Sequence, residues 1–184
     1  SSKNDSNKAT DIPEENRFLL EDIGGMAKEM EKVAEIMQEQ GRKVLTNIFS
    51  EVMSGNIDRV LMLSSLGGGT GCGITINIVQ MFSKKLKDNG VKLRALLIAP
   101  FKNEDMVSKR NTVAAVQVLQ DFKIPTRIVS NANYMNSEGR TQHEVHNSIN
   151  KYIAETEIIL QEAESFKTIG INTDIAELDK ILYT

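Results

Sequence analysis

The sequence predicts an α/β fold, a mostly parallel sheet with flanking helices and one long central helix. Three observations predict it. Arg59–Leu66 and Lys92–Ala99, built around the short apolar runs Val60–Leu63 and Ala95–Pro100, read as strands covered on both faces. Segments of helical periodicity stand between and around them. Five glycines within Gly67–Gly73 join the first of these strands to the helix that follows it.

Residues 1–12 are polar, rich in Ser, Asn, Lys and Asp, and read as a loop or a frayed end. From Met26 to Ser54 the pattern is helical, with Met30, Val33, Met37, Val44, Ile48 and Val52 at near-helical spacing. Gly41 predicts a bend, or a break between two helices. Ile74–Lys87 reads as a helix with Ile74, Ile78, Met81, Phe82 and Leu86 on one side. Pro100 halts the strand Lys92–Ala99. Glu104–Phe122 is helical, and Pro125 opens a third strand over Thr126–Val129. His143–Phe166 is the longest periodic helix, with a stripe of Val145, Ile149, Tyr152, Ile153, Ile159, Leu160 and Ala163. At about 1.5 Å per residue its length is roughly 36 Å, enough to run through a whole domain. A loop over Thr168–Thr173 and a new helix over Ile175–Leu182 follow.

Composition narrows the function classes. The 184 residues carry 22 basic against 25 acidic side chains, a net charge of −3. That balance argues against a surface dedicated to coating DNA or membrane, so neither is an expected direct partner. No apolar run approaches the roughly 20 residues of a membrane span, and the first residues lack a secretion signal's apolar stretch. A cytoplasmic domain is the expectation. Cys72 is the only cysteine, which excludes an internal disulfide and a multi-cysteine metal site. His143 and His146 are too few for most histidine-based metal sites, so no protein-built metal site is expected.

The segment Gly67-Gly68-Gly69-Thr70-Gly71-Cys72-Gly73 carries the sharpest chemistry. Glycines let a backbone approach a ligand with no side chain in the way. Successive N–H groups then face an anion, and the next helix adds its unpaired donors and its dipole. Thr70 can add a hydroxyl. These are the requirements for holding a polyphosphate. The segment lacks the lysine of GxxxxGK[ST] and is not GxGxxG. A tight turn without a ligand is the plainer alternative, but it does not need five glycines.

GGGTGCG resembles the GGGTG[ST]G signature of the tubulin/FtsZ superfamily of GTPases, with Cys72 where Ser or Thr is usual. The resemblance implies a Rossmann-like GTPase domain and extends over essentially the whole chain. Within the superfamily, HNSINKYIAETE and the ending INTDIAELDKILYT look most like TubZ and related plasmid and phage tubulins.

The resemblance also selects residues elsewhere. Asp22–Lys28 resembles the loop that meets the γ-phosphate, with close approach at Gly24 and Gly25 and a neutralising charge at Lys28. Pro100–Glu104 resembles the PFxxE segment at the ribose, with Glu104 as the matching acid. The arginine that FtsZ places four residues later is replaced by Ser108. Asn131 matches a loop asparagine near the guanine, and Asn150 matches the base-contacting asparagine of the central helix. An amide suits the guanine edge because it both donates and accepts. Asn172–Glu177 resembles the catalytic loop, with Asp174 and Glu177 in its two acidic positions. A carboxylate there orients the attacking water. The same pair also reads as an ordinary helix start resembling a capping box.

The family therefore implies GTP and GDP as ligands, Mg²⁺ as cofactor and GTP hydrolysis completed between head-to-tail subunits of a filament. The TubZ likeness implies plasmid or phage DNA positioning through a DNA-binding adaptor protein. An FtsZ-type cell-division GTPase, a non-hydrolysing structural subunit and a misread NAD-binding fold remain alternatives. The first strand, glycine-rich loop, helix and second strand of the superfamily domain have no counterpart in the sequence. The expectation is thus a partial GTP-binding domain over residues 1–166, including the long helix. Residues 167–184 would hold the catalytic loop and the start of the next helix.

Overall fold

The computed structural model describes residues 11–17, 30–55, 57–134 and 141–168. Three parallel strands form one sheet in the order β1 (Arg59–Ser65), β2 (Lys92–Ala99), β3 (Thr126–Ser130). Helix α3 (Gly69–Asp88) connects β1 to β2, and α4 (Met106–Asp121) connects β2 to β3. Ahead of the sheet run α1 (Met30–Ile36) and α2 (Arg42–Ser54). After it come a 3₁₀ turn at Asn131–Tyr134 and α5 (Gln142–Thr168).

The predicted α/β architecture is present, and strand periodicity sorts its two faces. Met62, Leu93, Ala95 and Leu97 pack with α1 to α4, while Leu96 and Val129 pack with Val145, Ile149 and Ile153 of α5. The sheet thus lies between two helical layers. β1 departs from the prediction of cover on both faces. Leu61 and Leu63, on the α5 side, are 42% and 56% exposed, because α5 packs over β2 and β3.

Gly41 does not break the first helix. One π-helical turn, Met37–Gly41, joins α1 to α2. A Cβ at Gly41 would lie 2.5 Å from Met37 Sδ, so the missing side chain makes room for a buried methionine. The predicted stripe of α3 is also rotated. Cys72, Val79, Phe82 and Leu86 are buried, whereas Ile74, Ile78 and Met81 are only partly buried. The cause is that α3 is covered twice, by the sheet and by α1 and α2, with the rings of Phe49 and Phe82 stacked at 4.3 Å.

On α5, Val145, Ile149, Ile153 and Leu160 are buried as expected. Tyr152 and Ile159 instead stand 41% and 62% exposed. Tyr152 lies over the Arg127 guanidinium at 5.1 Å rather than in the core. Arg127 is itself buried beneath α5 and pairs with Glu157 at 3.6 Å. No described helix is long and apolar enough to cross a membrane.

Candidate functional site

Parallel pairing brings the carboxyl ends of the three strands level. Ser65 is in register with Ile98, and Ala99 with Ser130. Leu66–Gly68, Pro100–Asp105 and Asn131–Tyr134 therefore leave the sheet on one edge. Connections at this edge form the natural ligand crevice of a parallel sheet.

The glycine segment is shorter as a loop than its sequence suggests. Gly67 and Gly68 alone are irregular, because α3 begins at Gly69. Gly69 to Gly73 form its first turn. The glycines serve different ends. At Gly71 a Cβ would collide with the carbonyl oxygen of Ser65. At Gly73 it would lie 2.6 Å from Val33 Cγ1, so this glycine seats α1 against α3. At Gly67 it would approach Glu104 Oε2 at 3.0 Å. At Gly68 it would meet no atom within 4 Å. Open space is thus found at Gly68, while Gly71 and Gly73 are required by the protein's own packing.

Gly68 caps α3 in extended backbone, and no side chain caps the helix. Its carbonyl accepts from the Cys72 N–H at 3.3 Å. The first amides of this 20-residue helix are left at the sheet edge with the positive end of its dipole. Thr70 stands half-buried beside them. Such a terminus accepts an anion.

Several side chains fix this loop. The Leu66 carbonyl accepts from Cys72 Sγ at 2.8 Å, and Thr112 Oγ1 lies 3.2 Å from it, its one proton shared with the nearer Ser108 carbonyl at 2.8 Å. Ser64 Oγ donates to the Gly71 carbonyl at 3.1 Å. Cys72 thus supplies the donor that a hydroxyl would give, and burial pushes its thiol from the ordinary 9.0 up to about 12. Thr112 and Ser64 escaped the sequence reading. The i, i+4 spacing of Ser108 and Thr112 on α4 offered no signal, because the shared carbonyl comes from 46 residues away.

Pro100 and Glu104 do join the glycine loop. Pro100 Cβ lies 3.4 Å from the position a Gly67 Cβ would take. Glu104 precedes α4 rather than sitting in its first turn, and Asp105 is the cap, accepting from the Ser108 N–H at 2.9 Å. Glu104 Oε1 accepts from the Phe101 N–H at 2.9 Å, closing the connection into a compact turn. Phe101 is buried against Val145 and Ile149, which ties this turn to α5.

Asn131 is 6% exposed and its Oδ1 has no hydrogen-bond partner. A buried orphan acceptor at a strand end fits a ligand that brings a donor. Asn150 is exposed on α5. One turn earlier on the same helix face is His146, whose ring lies 5.5 Å from that of Phe101. His146 is exposed and borders the region between α5 and the Pro100 turn. Beyond Asn131, Tyr134 lies 6.0 Å from Tyr152. Burial and the neighbouring Tyr152 push the Tyr134 phenol up, against a smaller lowering by Arg127.

Gly24, Gly25, Lys28, Asp174 and Glu177 lie outside the described residues. Among the described residues, no group of three or more His, Cys, Asp or Glu side chains could hold a metal ion.

A family model described as "Tubulin/FtsZ family, GTPase domain" matches residues 10–138. No curated protein matches the sequence. Among solved structures, CetZ from Methanosaeta thermophila superposes with a TM-score of 0.74 at 18% identity, covering 88% of this chain and 43% of that one. Tail-truncated TubZ of Clostridium botulinum phage c-st gives 0.70 at 18% identity, covering 89% and 51%. A GTPγS-form protofilament of Bacillus thuringiensis TubZ gives 0.64 at 15% identity, covering 84% and 45%. The chain spans about half the length of these structures. Their likeness, at such identities, establishes the fold.

Proposed function

This chain belongs to the Tubulin/FtsZ family, and from that premise we propose that it binds GTP at the carboxyl edge of its sheet and hydrolyses it within a filament. The observation that carries the reading is the uncapped start of α3, with open space at Gly68. Backbone amides from Gly67 to Gly71 would meet the phosphates, with Thr70 adding a hydroxyl. Glu104 would face the ribose from beside Gly67. Asn131, with its orphan carbonyl oxygen, would accept from the guanine, and Asn150 would approach the base from α5. Mg²⁺ would enter on the phosphate oxygens, where it offsets charge that backbone dipoles alone meet only in part. Gly24, Gly25 and Lys28 would complete the phosphate contacts.

The residues for cleavage are Asp174 and Glu177. Either carboxylate, brought to the nucleotide of the next subunit, would orient the attacking water. That contact is heterologous and head-to-tail, so it builds open filaments and couples turnover to assembly. The solved protofilament of a protein with the same fold supports self-association as the mode. The sequence likeness to TubZ supports plasmid or phage DNA positioning in the cytoplasm, with DNA reached through an adaptor.

Phosphate release measured against protein concentration tests this reading. Specific activity should rise with concentration, GTP should compete for the site far better than ATP, and Asp174→Ala should bind GTP without turning it over. Activity independent of concentration, or unchanged by Asp174→Ala, would rule out a shared site. Binding without any turnover in the intact protein would leave a non-hydrolysing structural subunit instead.

A further inference from the structure

At the other end of the sheet, where β2 and β3 begin, lies a cleft of about 730 Å³. It shares no residue with the nucleotide loops. Val91, Leu93, Phe122 and Ile124 supply its apolar lining. Val91 and Leu93 are buried, and the Phe122 ring is left 44% exposed. Lys84 and Lys87 reach it from α3, Lys92 from β2 and Lys123 from the turn after α4. No Asp or Glu lines it.

The four lysines are exposed, and none forms an ion pair with a described residue. On a chain of net charge −3, this concentration of one sign is a local feature and not an overspill of general basicity. Lys123 is notable for its backbone as well. It is the one non-glycine residue among those described with positive φ, at 54°. Glycine is the ordinary residue at that position after a helix. A long cation stands there against local preference.

We propose that this cleft docks an acidic peptide segment of a partner protein, with one large apolar side chain seated between Val91, Leu93 and Phe122. Charge complementarity gives the sign of the partner, and the apolar lining gives its anchor. A free phosphate would leave that lining unused. A nucleic acid fits less well, since Phe122 is the one aromatic ring in the cleft and the chain as a whole is acidic.

The test uses the intact protein and a fluorescein-labelled peptide of six glutamates around a central phenylalanine, followed by anisotropy. Binding should be measurable and should weaken with salt. Replacing the peptide's phenylalanine by alanine should weaken it about tenfold. Lys84→Glu combined with Lys123→Glu should weaken it by at least about tenfold, with GTP affinity and thermal melting unchanged. Should the reversal unfold the protein, Lys84→Gln with Lys123→Gln should still lower affinity several-fold. The proposal is overturned by a peptide that does not bind, by equal affinity of the alanine peptide, or by equal affinity of the charge-reversed protein. Tripolyphosphate or poly(dT) competing as strongly as the peptide would also overturn it, as a general polyanion site. Loss of self-association in the reversed variant, without peptide binding, would reassign the face to contact between copies.

Discussion

Gly68→Ala isolates the ligand from the fold. The residue is in extended backbone, φ −97° and ψ 157°, which alanine adopts without strain. Its new methyl would meet no protein atom within 4 Å. Two small effects on stability oppose each other. Alanine narrows the unfolded ensemble, worth about 0.4–1 kcal/mol, while as a helix cap it is poorer than glycine by a similar amount. Thermal melting without nucleotide should therefore stay within a degree or two. Binding should not. If phosphate oxygens sit against the Gly67–Thr70 amides, a methyl in that space displaces one or two charge-assisted hydrogen bonds. At about 1.5–3 kcal/mol each, affinity falls at least tenfold. The assay is titration of a fluorescent GTP analogue beside a melting curve. Gly71→Ala is the paired control. Its methyl collides with the Ser65 carbonyl, so stability itself should drop by about 1–3 kcal/mol along with binding. An unchanged dissociation constant for Gly68→Ala would refute the reasoning, since no ligand would then approach the amide that the structure leaves open.

Three further outcomes are expected. Gly73→Ala should lose about 1–3 kcal/mol in urea denaturation, because its Cβ falls 2.6 Å from Val33 Cγ1, and Val33→Ala in the same chain should recover part of that loss. Thr112→Val should cost about 1 kcal/mol in urea denaturation, because it removes a hydroxyl that bonds the Ser108 carbonyl at 2.8 Å and lies 3.2 Å from the Leu66 carbonyl. Cys72 should resist iodoacetamide in the native state at pH 8, and it should give stability a pH dependence of known sign. Its folded thiol ionises near 12 against 9.0 when free. Below pH 9 both states are protonated, and above it only the unfolded chain ionises. Stability should then fall as pH rises between about 9 and 12, and Cys72→Ser should remove that share of the fall.

Much of this fold was legible because its signals are local. Val60–Leu63 and Ala95–Ala99 are apolar without interruption, and Pro100 and Pro125 mark the ends of elements. The misreadings have one physical origin, since neighbours distant in sequence decide burial. Periodicity cannot say that α3 is covered from two directions, so Ile74 and Ile78 were placed where Cys72 and Val79 lie. It cannot place α5 over β2 and β3 alone, so Leu61 and Leu63 were assigned to a covered strand. Nor could it show Arg127 beneath α5, which draws Tyr152 out of the apolar stripe. Gly41 did mark an irregular turn, but the helix continues through it, and room for the Met37 sulfur explains the glycine.

The candidate site was legible as a list and not as an arrangement. GGGTGCG pointed to an anion, yet the sequence treated its glycines alike. The structure separates them by what a single methyl would strike: a carbonyl at Gly71, a valine at Gly73, a carboxylate at Gly67, nothing at Gly68. Glycine density in such a loop therefore overstates the area offered to a ligand. Part of it lets α3 press its first turn onto β1 and α1. That pressure positions the amides, because Cys72 can reach the Leu66 carbonyl only when the turn sits this close. The packing glycines and the open one are then parts of a single device, in which close contact behind the loop fixes the donors that face outward. It follows that substitutions at Gly71 and Gly73 should weaken nucleotide binding in proportion to how far they move α3, whereas Gly68 should act without moving it.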